Sequence, residues 1–256
     1  MTIEYIPGAE PLYIEGNETG CLLLHGAGGG TTWDLKEFAD VLHSRTGMTV
    51  WLPALKGFGT KPDDLYEITF DHWLADARAG IDRLGEECSR TFVVGHSVGG
   101  LLTLLLASER KDISAIVTWA TPIAVQYRLI GLLPIIIRIP LLRRLIPERY
   151  PTNPSEKLRE QGWIGYDWIP PVVGLAARDG MKRVKKAFAD VTCPAFIVQG
   201  SEDKAISENS AERIFEALAS ERKEFWIVEE AGHAIMNHEK TKDDLFARTI
   251  DFLESS

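Results

Sequence analysis

The sequence predicts an α/β protein with a mostly parallel, doubly wound sheet and an inserted, mainly helical segment. Short apolar runs, typical of strands buried on both faces, alternate with stretches whose apolar residues recur every three or four positions. A serine between glycines joins one of these runs to a helix-forming stretch. A proline-rich stretch interrupts the alternation once, and this interruption predicts the inserted segment.

Length and composition set the first limits. At 256 residues the chain can form one large α/β domain or two small ones. Its 45% hydrophobic and 25% charged residues are ordinary for a globular protein with a sizeable core. The net charge of −9 argues against binding to nucleic acid, because phosphate binding needs a basic face.

The cysteines and the N-terminal stretch indicate the compartment. Cys21, Cys88 and Cys193 lack the spacing of a zinc site or of a disulfide framework, so we interpret them as reduced thiols. Residues 1–16 contain acids and prolines where a signal peptide has a basic start and an apolar core. We therefore predict a cytoplasmic protein.

The first strands are predicted from short apolar runs. Residues 3–15 alternate loosely around Pro7 and Gly8, which predicts a short hairpin or two edge strands. Cys21–Leu24 is a compact apolar run and predicts a strand buried on both faces. Met48–Leu52 predicts the next strand.

Helices and strands then alternate. Residues 33–44 and 70–87 have apolar residues at helical spacing, so each predicts a helix with one buried stripe. Phe92–Val94 and Ile113–Trp119 predict two further strands. Regular alternation of this kind implies parallel strands joined by right-handed crossovers.

The alternation stops after residue 120 and resumes near residue 172. Residues 121–171 contain no clean strand pattern, and six prolines lie between Pro122 and Pro154. We interpret residues 121–171 as a cap over a core formed by residues 1–120 and 172–256. The resumed pattern predicts helices and strands at 172–188, 195–198, 207–218, 225–228 and 241–253.

The stretch from Gly95 to Gly99 predicts a nucleophilic serine. It lies between the strand at Phe92–Val94 and a helix-forming run at Leu101–Ala107. A strand that leads directly into a helix must turn sharply, and flanking glycines allow the close approach that this turn needs. The turn is expected to raise the Ser97 hydroxyl above the edge of the sheet.

Two further groups complete a catalytic triad. Asp203 and His233 each follow a predicted strand, as Ser97 does, and the carboxyl ends of parallel strands meet at one crevice. Imidazole can take the serine proton, and a carboxylate orients the imidazole and stabilises its cation. Glu202 is the alternative acid and His238 a weaker alternative base. His96 is expected to point away from Ser97.

An oxyanion needs two hydrogen-bond donors. We expect one from the backbone amide of Val98, at the start of a helix, and the other from the amide of Ala27, in the loop after Leu24. The glycine-rich stretch 25–30 fits neither nucleotide-binding pattern, because it has no glycine at position 31 and no following Gly-Lys-Ser/Thr.

With these motifs the chain resembles the α/β hydrolases over its whole length, and is similar to small bacterial and archaeal carboxylesterases and monoacylglycerol lipases. The resemblance implies that Ser97 is the nucleophile, His233 the general base and Asp203 its orienting acid. It also implies that Ala27 and Val98 form the oxyanion hole and that neither a metal nor an organic cofactor is needed. Many relatives carry an aromatic residue where Ala27 stands, and a smaller side chain here is expected to widen the pocket floor. The matching motifs are Leu24-His25-Gly26, Gly95 to Gly100, Val198 to Asp203, and Gly232-His233.

The predicted cap supplies apolar residues for a substrate pocket. Its longest uncharged run, residues 129–137, is about half of what a bilayer span needs, so no membrane span is predicted. These side chains either pack on the sheet or line an acyl pocket above Ser97. The expected pocket residues are Trp119, Leu129, Leu133, Trp163 and Trp168.

The cap also contains a basic patch. Residues 121–150 hold five arginines and one acid, a local charge of +4 in an acidic chain. A solvated face is one interpretation. The other is that Arg138, Arg143 and Arg144 meet an anionic ligand, either a lipid surface or the phosphates of an acyl carrier.

The sequence therefore predicts a serine carboxylesterase that acts on short- to medium-chain acyl esters through an acyl-enzyme. A monoacylglycerol lipase or an acyl thioesterase uses the same groups and remains the alternative. Two other classes share the fold: a hydroxynitrile lyase, in which the triad only transfers protons, and a ligand-binding receptor without turnover. The pattern does not give the acyl-chain length, the physiological ester or the oligomeric state.

Overall fold

The computed structural model describes residues 3–124 and 147–256. The strands are Leu12–Ile14 (β1), Asn17–Leu24 (β2), Met48–Leu52 (β3), Arg90–His96 (β4), Ile113–Trp119 (β5), Tyr150–Pro151 (β6), Trp168–Ile169 (β7), Ala195–Gly200 (β8) and Lys223–Val228 (β9). The α-helices are Trp33–Thr46 (α1), Phe70–Glu87 (α2), Val98–Glu109 (α3), Glu156–Glu160 (α4), Pro171–Ala187 (α5), Ser210–Ala217 (α6) and Lys242–Glu254 (α7).

Seven of these strands form one sheet in the order β1-β3-β2-β4-β5-β8-β9. Every neighbouring pair is parallel except β1 and β3, which pair antiparallel at the edge. The predicted fold class is confirmed. Because the strands are parallel, the loops that follow β2, β4, β8 and β9 all leave the sheet at the same edge.

The sheet has a hydrophobic core on each face, as a doubly wound fold requires. Successive side chains of a strand point to opposite faces. Leu22 and Leu24 therefore pack with α2, α3 and α5 on one face, whereas Cys21 and Leu23 pack with α1 and α7 on the other. Both faces of the central strands are buried, which explains why these strands appear in the sequence as continuous apolar runs.

The N-terminal stretch differs from the prediction. Residues 3–11 do not form a hairpin strand, and β1 alone pairs with the sheet. The Ile6 N–H donates to the Gly59 carbonyl at 2.7 Å, and Gly8 adopts a positive φ of 92°. Residues 3–8 therefore lie along the loop that follows β3 and do not form a strand pair with the next residues of the chain.

The stretch between β5 and α5 stands where the sequence predicts a cap. Its described part, residues 147–171, contains the antiparallel pair β6 and β7 and the short helix α4. Residues 125–146, with Leu129, Leu133, Arg138, Arg143 and Arg144, lie outside the described residues, so the predictions made for these side chains stay predictions. No helix within residues 3–124 and 147–256 is long and apolar enough to cross a membrane.

Candidate active site

Ser97 occupies a strained turn between β4 and α3. Its φ is 54°, which is rare for a residue with a side chain, and its N–H donates to the Trp119 carbonyl at 2.8 Å. The turn requires close packing, because a Cβ on Gly99 would lie 1.9 Å from the Leu24 carbonyl oxygen. Glycine at this position lets α3 begin directly against the end of β2.

Asp203 lies in the loop after β8 and is 4% exposed. Its Oδ1 accepts hydrogen bonds from the backbone N–H groups of Ala205, at 2.8 Å, and Ile206, at 3.2 Å. These bonds orient the carboxylate so that Oδ2 faces the loop that follows β9.

His233 lies in the loop after β9 and joins the other two groups. Its Nδ1 is 2.8 Å from Asp203 Oδ2, and its Nε2 is 2.9 Å from Ser97 Oγ. A carboxylate oxygen only accepts, so Nδ1 carries the proton, and Nε2 is left to accept the hydrogen of the Ser97 hydroxyl. The structure thus brings together the three side chains that the sequence analysis selected, in one hydrogen-bonded chain.

His96 does not point away from Ser97, as the sequence analysis expected. His96 lines the cavity into which Ser97 and His233 open, and its ring centroid lies 5.1 Å from that of His233. Its Nε2 donates to the His233 carbonyl at 3.0 Å and so holds the loop that carries the base. Burial lowers the pKa of His96 to about 3, which keeps this ring uncharged beside the triad.

The loop after β2 passes beside Ser97. His25 holds this loop through two bonds: its Nδ1 donates to the Gly26 carbonyl at 2.7 Å, and its Nε2 accepts from the Leu55 N–H at 3.1 Å. Ala27 is buried in the same loop, and Val98 is the first residue of α3. The Val98 N–H has no acceptor within its own helix, because the first amides of any helix lack one.

Ser97 and His233 open into a cavity of about 330 Å³. Of the predicted pocket residues, Trp163 lines this cavity. The prediction is wrong for Trp119, which does not line this cavity. Its indole is buried in the core between the sheet and the helices α1 and α7, and it donates to Thr249 Oγ1 at 3.3 Å. Trp119 follows the alternation of its strand, which points it toward α1 and α7.

Trp168 also lies away from the cavity. It belongs to β7, its ring centroid is 6.3 Å from that of Tyr66, and the Arg149 guanidinium lies 4.3 Å from its ring centroid. Its indole therefore packs against the Tyr66 ring and the Arg149 guanidinium. It is not among the residues that line the cavity of Ser97.

One residue that lines the cavity was missed by the sequence analysis. Asp34 lies in the first turn of α1, and its Oδ1 accepts a hydrogen bond from Trp163 Nε1 at 3.0 Å. An acid in the first turn of a helix is ordinary, because it interacts favourably with the helix dipole. The sequence therefore carries no signal that separates Asp34 from a surface residue.

No group of three or more histidine, cysteine or acidic side chains suited to a metal ion occurs within the described ranges. The polar groups that line the cavity include the Ser97 hydroxyl and the His233 imidazole, beside the Asp34 carboxyl and the Asn237 side-chain amide, and the first backbone amide of α3 follows Ser97 directly. This set suits nucleophilic attack on a carbonyl group followed by stabilisation of an oxyanion.

Comparison with known proteins gives one family and several full-length relatives. The family model described as serine aminopeptidase, S33, matches residues 17–241. A thermostable monoacylglycerol lipase of Bacillus sp. strain H-257 is 29% identical and covers 96% of this chain and 95% of its own length. A carboxylesterase of Bacillus subtilis strain 168 is 25% identical, and 96% of each chain is covered. The solved structure of a metagenome-derived lipolytic enzyme, from work on LipS and LipT, superimposes with a TM-score of 0.87 at 26% identity, over 99% of this chain and 100% of its own.

Proposed function

The chain belongs to the serine aminopeptidase, S33, family, and from this premise we propose that it is a serine carboxylesterase acting on short- to medium-chain acyl esters. The single observation that carries the proposal is the hydrogen-bonded chain of Ser97, His233 and Asp203 at the mouth of a cavity. The full-length relatives named as a carboxylesterase and a monoacylglycerol lipase support ester bonds as the substrate.

In the proposed first step, Ser97 Oγ attacks the ester carbonyl while its proton passes to His233 Nε2. The 2.9 Å separation of these two atoms permits direct transfer. Asp203 keeps the Nδ1–H of His233 in place and stabilises the imidazolium that forms. His233 then gives the proton to the leaving alcohol, and the acyl group remains on Ser97.

In the proposed second step, water takes the place of the alcohol. His233 accepts a proton from this water as the water oxygen attacks the acyl carbonyl. The bond between the acyl carbon and Ser97 Oγ then breaks, His233 returns the proton to Oγ, and the acid is released. In both steps the carbonyl oxygen becomes negatively charged, and we assign the Ala27 and Val98 amides as its donors. Val98 adds the favourable field of the N-terminus of α3.

A monoacylglycerol lipase is the second candidate, because one relative at 29% identity has that name. The two candidates differ in the acyl chain that the cavity accepts. Hydrolysis of a long-chain monoglyceride in preference to a butyrate ester favours the lipase. A higher rate on the butyrate ester favours the carboxylesterase.

Three further parts of the proposal follow from the sequence analysis. Residues 121–171 act as a cap on a core of residues 1–120 and 172–256. The protein works in the cytoplasm on a small acyl ester. An anionic ligand or a lipid surface meets the arginine-rich stretch of this cap, and reversing the charge of Arg143 and Arg144 tests this contact through the turnover of anionic acyl substrates.

Labelling with a fluorophosphonate tests the proposal directly. We expect stoichiometric modification of the wild-type protein, mapped by mass spectrometry to the peptide that contains Ser97. The His233→Ala variant should be labelled at least about a thousandfold more slowly, because the serine loses its base. His238→Ala is the matched control and should be labelled like the wild type. A folded wild-type protein that takes up no label contradicts the proposal.

A further inference from the structure

Asp34 places a carboxyl group on the wall of the cavity that holds Ser97 and His233. The side chain is half-buried, and one of its oxygens is fixed by the hydrogen bond from Trp163 Nε1. The neighbouring glycine makes room for the other oxygen, since a Cβ on Gly30 would lie 1.7 Å from Asp34 Oδ2. The loop that carries Ala27 is thus shaped around this carboxyl group.

A purely structural role explains this placement poorly. An acid in the first turn of a helix usually contacts the first backbone amides or water. Asp34 instead contacts a side chain from residues 147–171, and burial raises its pKa to about 7 although the Trp163 bond acts in the opposite direction. A carboxyl group kept on a cavity wall at this cost is typical of a functional position.

The position of Asp34 relative to His233 indicates which part of the substrate it meets. In the proposed reaction His233 delivers a proton to the leaving alcohol, so that alcohol lies beside the imidazole. A second cavity, of about 270 Å³, adjoins the first and shares Asp34, Met236 and Asn237 with it. Met236 and Asn237 follow His233 closely in the chain and line both cavities with Asp34, so we assign Asp34 to the alcohol side of the site.

The same side of the site has further hydrogen-bonding capacity. Asn237 lines both cavities, and its Nδ2 is buried without a hydrogen-bond partner among the described residues. A buried donor without a partner is unfavourable unless a ligand or water satisfies it. A carboxyl acceptor and an amide donor at one end of the cavity suit a hydroxyl group, which both donates and accepts.

We propose that Asp34 is a specificity-determining residue that accepts a hydrogen bond from a hydroxyl group on the alcohol part of the substrate. The preferred substrates are then esters of hydroxylated alcohols. This inference rests on the proposed function, because it concerns the alcohol that leaves during ester hydrolysis. A hydroxyl group suits this site because it brings no charge to a position where burial already disfavours the charged form of Asp34.

Two matched esters test the inference. 2-Hydroxyethyl butyrate and propyl butyrate differ only in a hydroxyl group that replaces a methyl group. The measurement is the ratio of kcat/KM for the two esters, which we expect to favour the hydroxylated ester in the wild type. In Asp34→Asn the amide oxygen still accepts from Trp163, but an amino group replaces the acceptor in the cavity. We expect the ratio to fall about tenfold.

Two further variants separate this effect from general damage. Asp244 also lies in the first turn of a helix, α7, but it is exposed, so Asp244→Asn should keep the wild-type ratio. Gly30→Ala leaves Asp34 chemically intact and displaces its carboxyl group, so it should lower the ratio as Asp34→Asn does.

The outcomes are distinct. A wild-type enzyme that hydrolyses both esters but keeps its ratio in Asp34→Asn and in Gly30→Ala overturns the inference and leaves the proposed function standing. A wild-type protein that takes up no fluorophosphonate and hydrolyses neither ester overturns the proposed function, and the inference falls with it.

Discussion

The two walls of the cavity are built in different ways. The wall that carries the triad consists of loops at the ends of three parallel strands, of which β4 and β8 are buried and β9 lies at the edge of the sheet. The opposite wall includes residues 147–171, whose only described strands, β6 and β7, have two residues each. This segment is attached to the glycine-rich loop by single hydrogen bonds, such as Tyr166 N–H to the Gly29 carbonyl at 2.8 Å and Thr31 Oγ1 to the Ile164 carbonyl at 2.6 Å.

The difference separates chemistry from selectivity. The paired ends of β4, β8 and β9 position the turn and loops that carry Ser97, Asp203 and His233, so the geometry of the triad is tied to the stability of the sheet. The opposite wall depends on a few side-chain and loop contacts. A substitution in this wall should alter the preference among esters or the stability of residues 147–171, and it should leave Ser97 reactive. Three predictions test this separation.

The largest effect is expected from Asp203→Asn. The amide oxygen can keep the hydrogen bonds from Ala205 and Ile206, but the amino group cannot accept from His233 Nδ1–H. The imidazole then takes the other tautomer, with its proton on Nε2, and can no longer accept from Ser97. We expect kcat to fall by about 10³ to 10⁴ with little change in the free energy of unfolding.

Steady-state kinetics and urea unfolding measure both quantities. Glu202→Gln is the matched control, because Glu202 is the adjacent acid and was the alternative in the sequence analysis. A loss in Glu202→Gln equal to that in Asp203→Asn contradicts the assignment of the acid.

A smaller effect is expected from pH, and it acts on two buried histidines that follow β2 or end β4. Burial lowers the pKa of His25 to about 4 and that of His96 to about 3, against about 6.5 in an unfolded chain. Between pH 6.5 and about 4 the unfolded chain therefore binds more protons at these two positions. The free energy of unfolding therefore falls on acidification through this window. Between pH 7.5 and pH 5.5 we expect each histidine to contribute a decrease of about 1 kcal/mol.

Asp34 changes the free energy of unfolding in the opposite direction on acidification. Its pKa is raised to about 7 in the folded protein, so the folded chain binds more protons at this position than the unfolded chain does. A comparison of variants removes this contribution. Urea unfolding of His25→Gln at the two pH values should show a loss smaller than that of the wild type by about 1 kcal/mol. An equal loss in both proteins contradicts the assignment of a neutral buried His25.

The triad wall was predictable because its signals are local and regular. The parallel strands β4, β8 and β9 contain apolar runs, and Ser97, Asp203 or His233 follows the end of each within five residues. The joint order of these three residues then indicated the site. The helices of the core were also predicted closely, since α5 spans Pro171–Ala187 and residues 172–188 had been expected.

The opposite wall was not predictable in the same way. Trp163 and Asp34 meet through a contact between residues 129 positions apart, and nothing in either local pattern shows it. Trp119 was assigned to the pocket because of its type, whereas the alternation of β5 points its indole into the core. His96 is the last residue of β4, so its side chain lies at the carboxyl end of the sheet, where the cavity opens.

The smallest effect is expected from Tyr166→Phe, which acts on the opposite wall. The Tyr166 hydroxyl donates to the Gly57 carbonyl at 2.8 Å and accepts from the Thr60 N–H at 2.9 Å, and its ring stacks on Phe58. Phenylalanine keeps the ring and leaves both backbone groups without this partner, which should cost about 1 to 2 kcal/mol and lower Tm by several degrees.

Tyr66→Phe is the matched control, because that exposed hydroxyl donates to a backbone carbonyl at 3.2 Å and its loss should change Tm very little. If the two walls are independent, the rate of fluorophosphonate labelling at Ser97 in Tyr166→Phe stays within about threefold of the wild type, whereas a loss as large as that in Asp203→Asn would show that the segment also positions the triad.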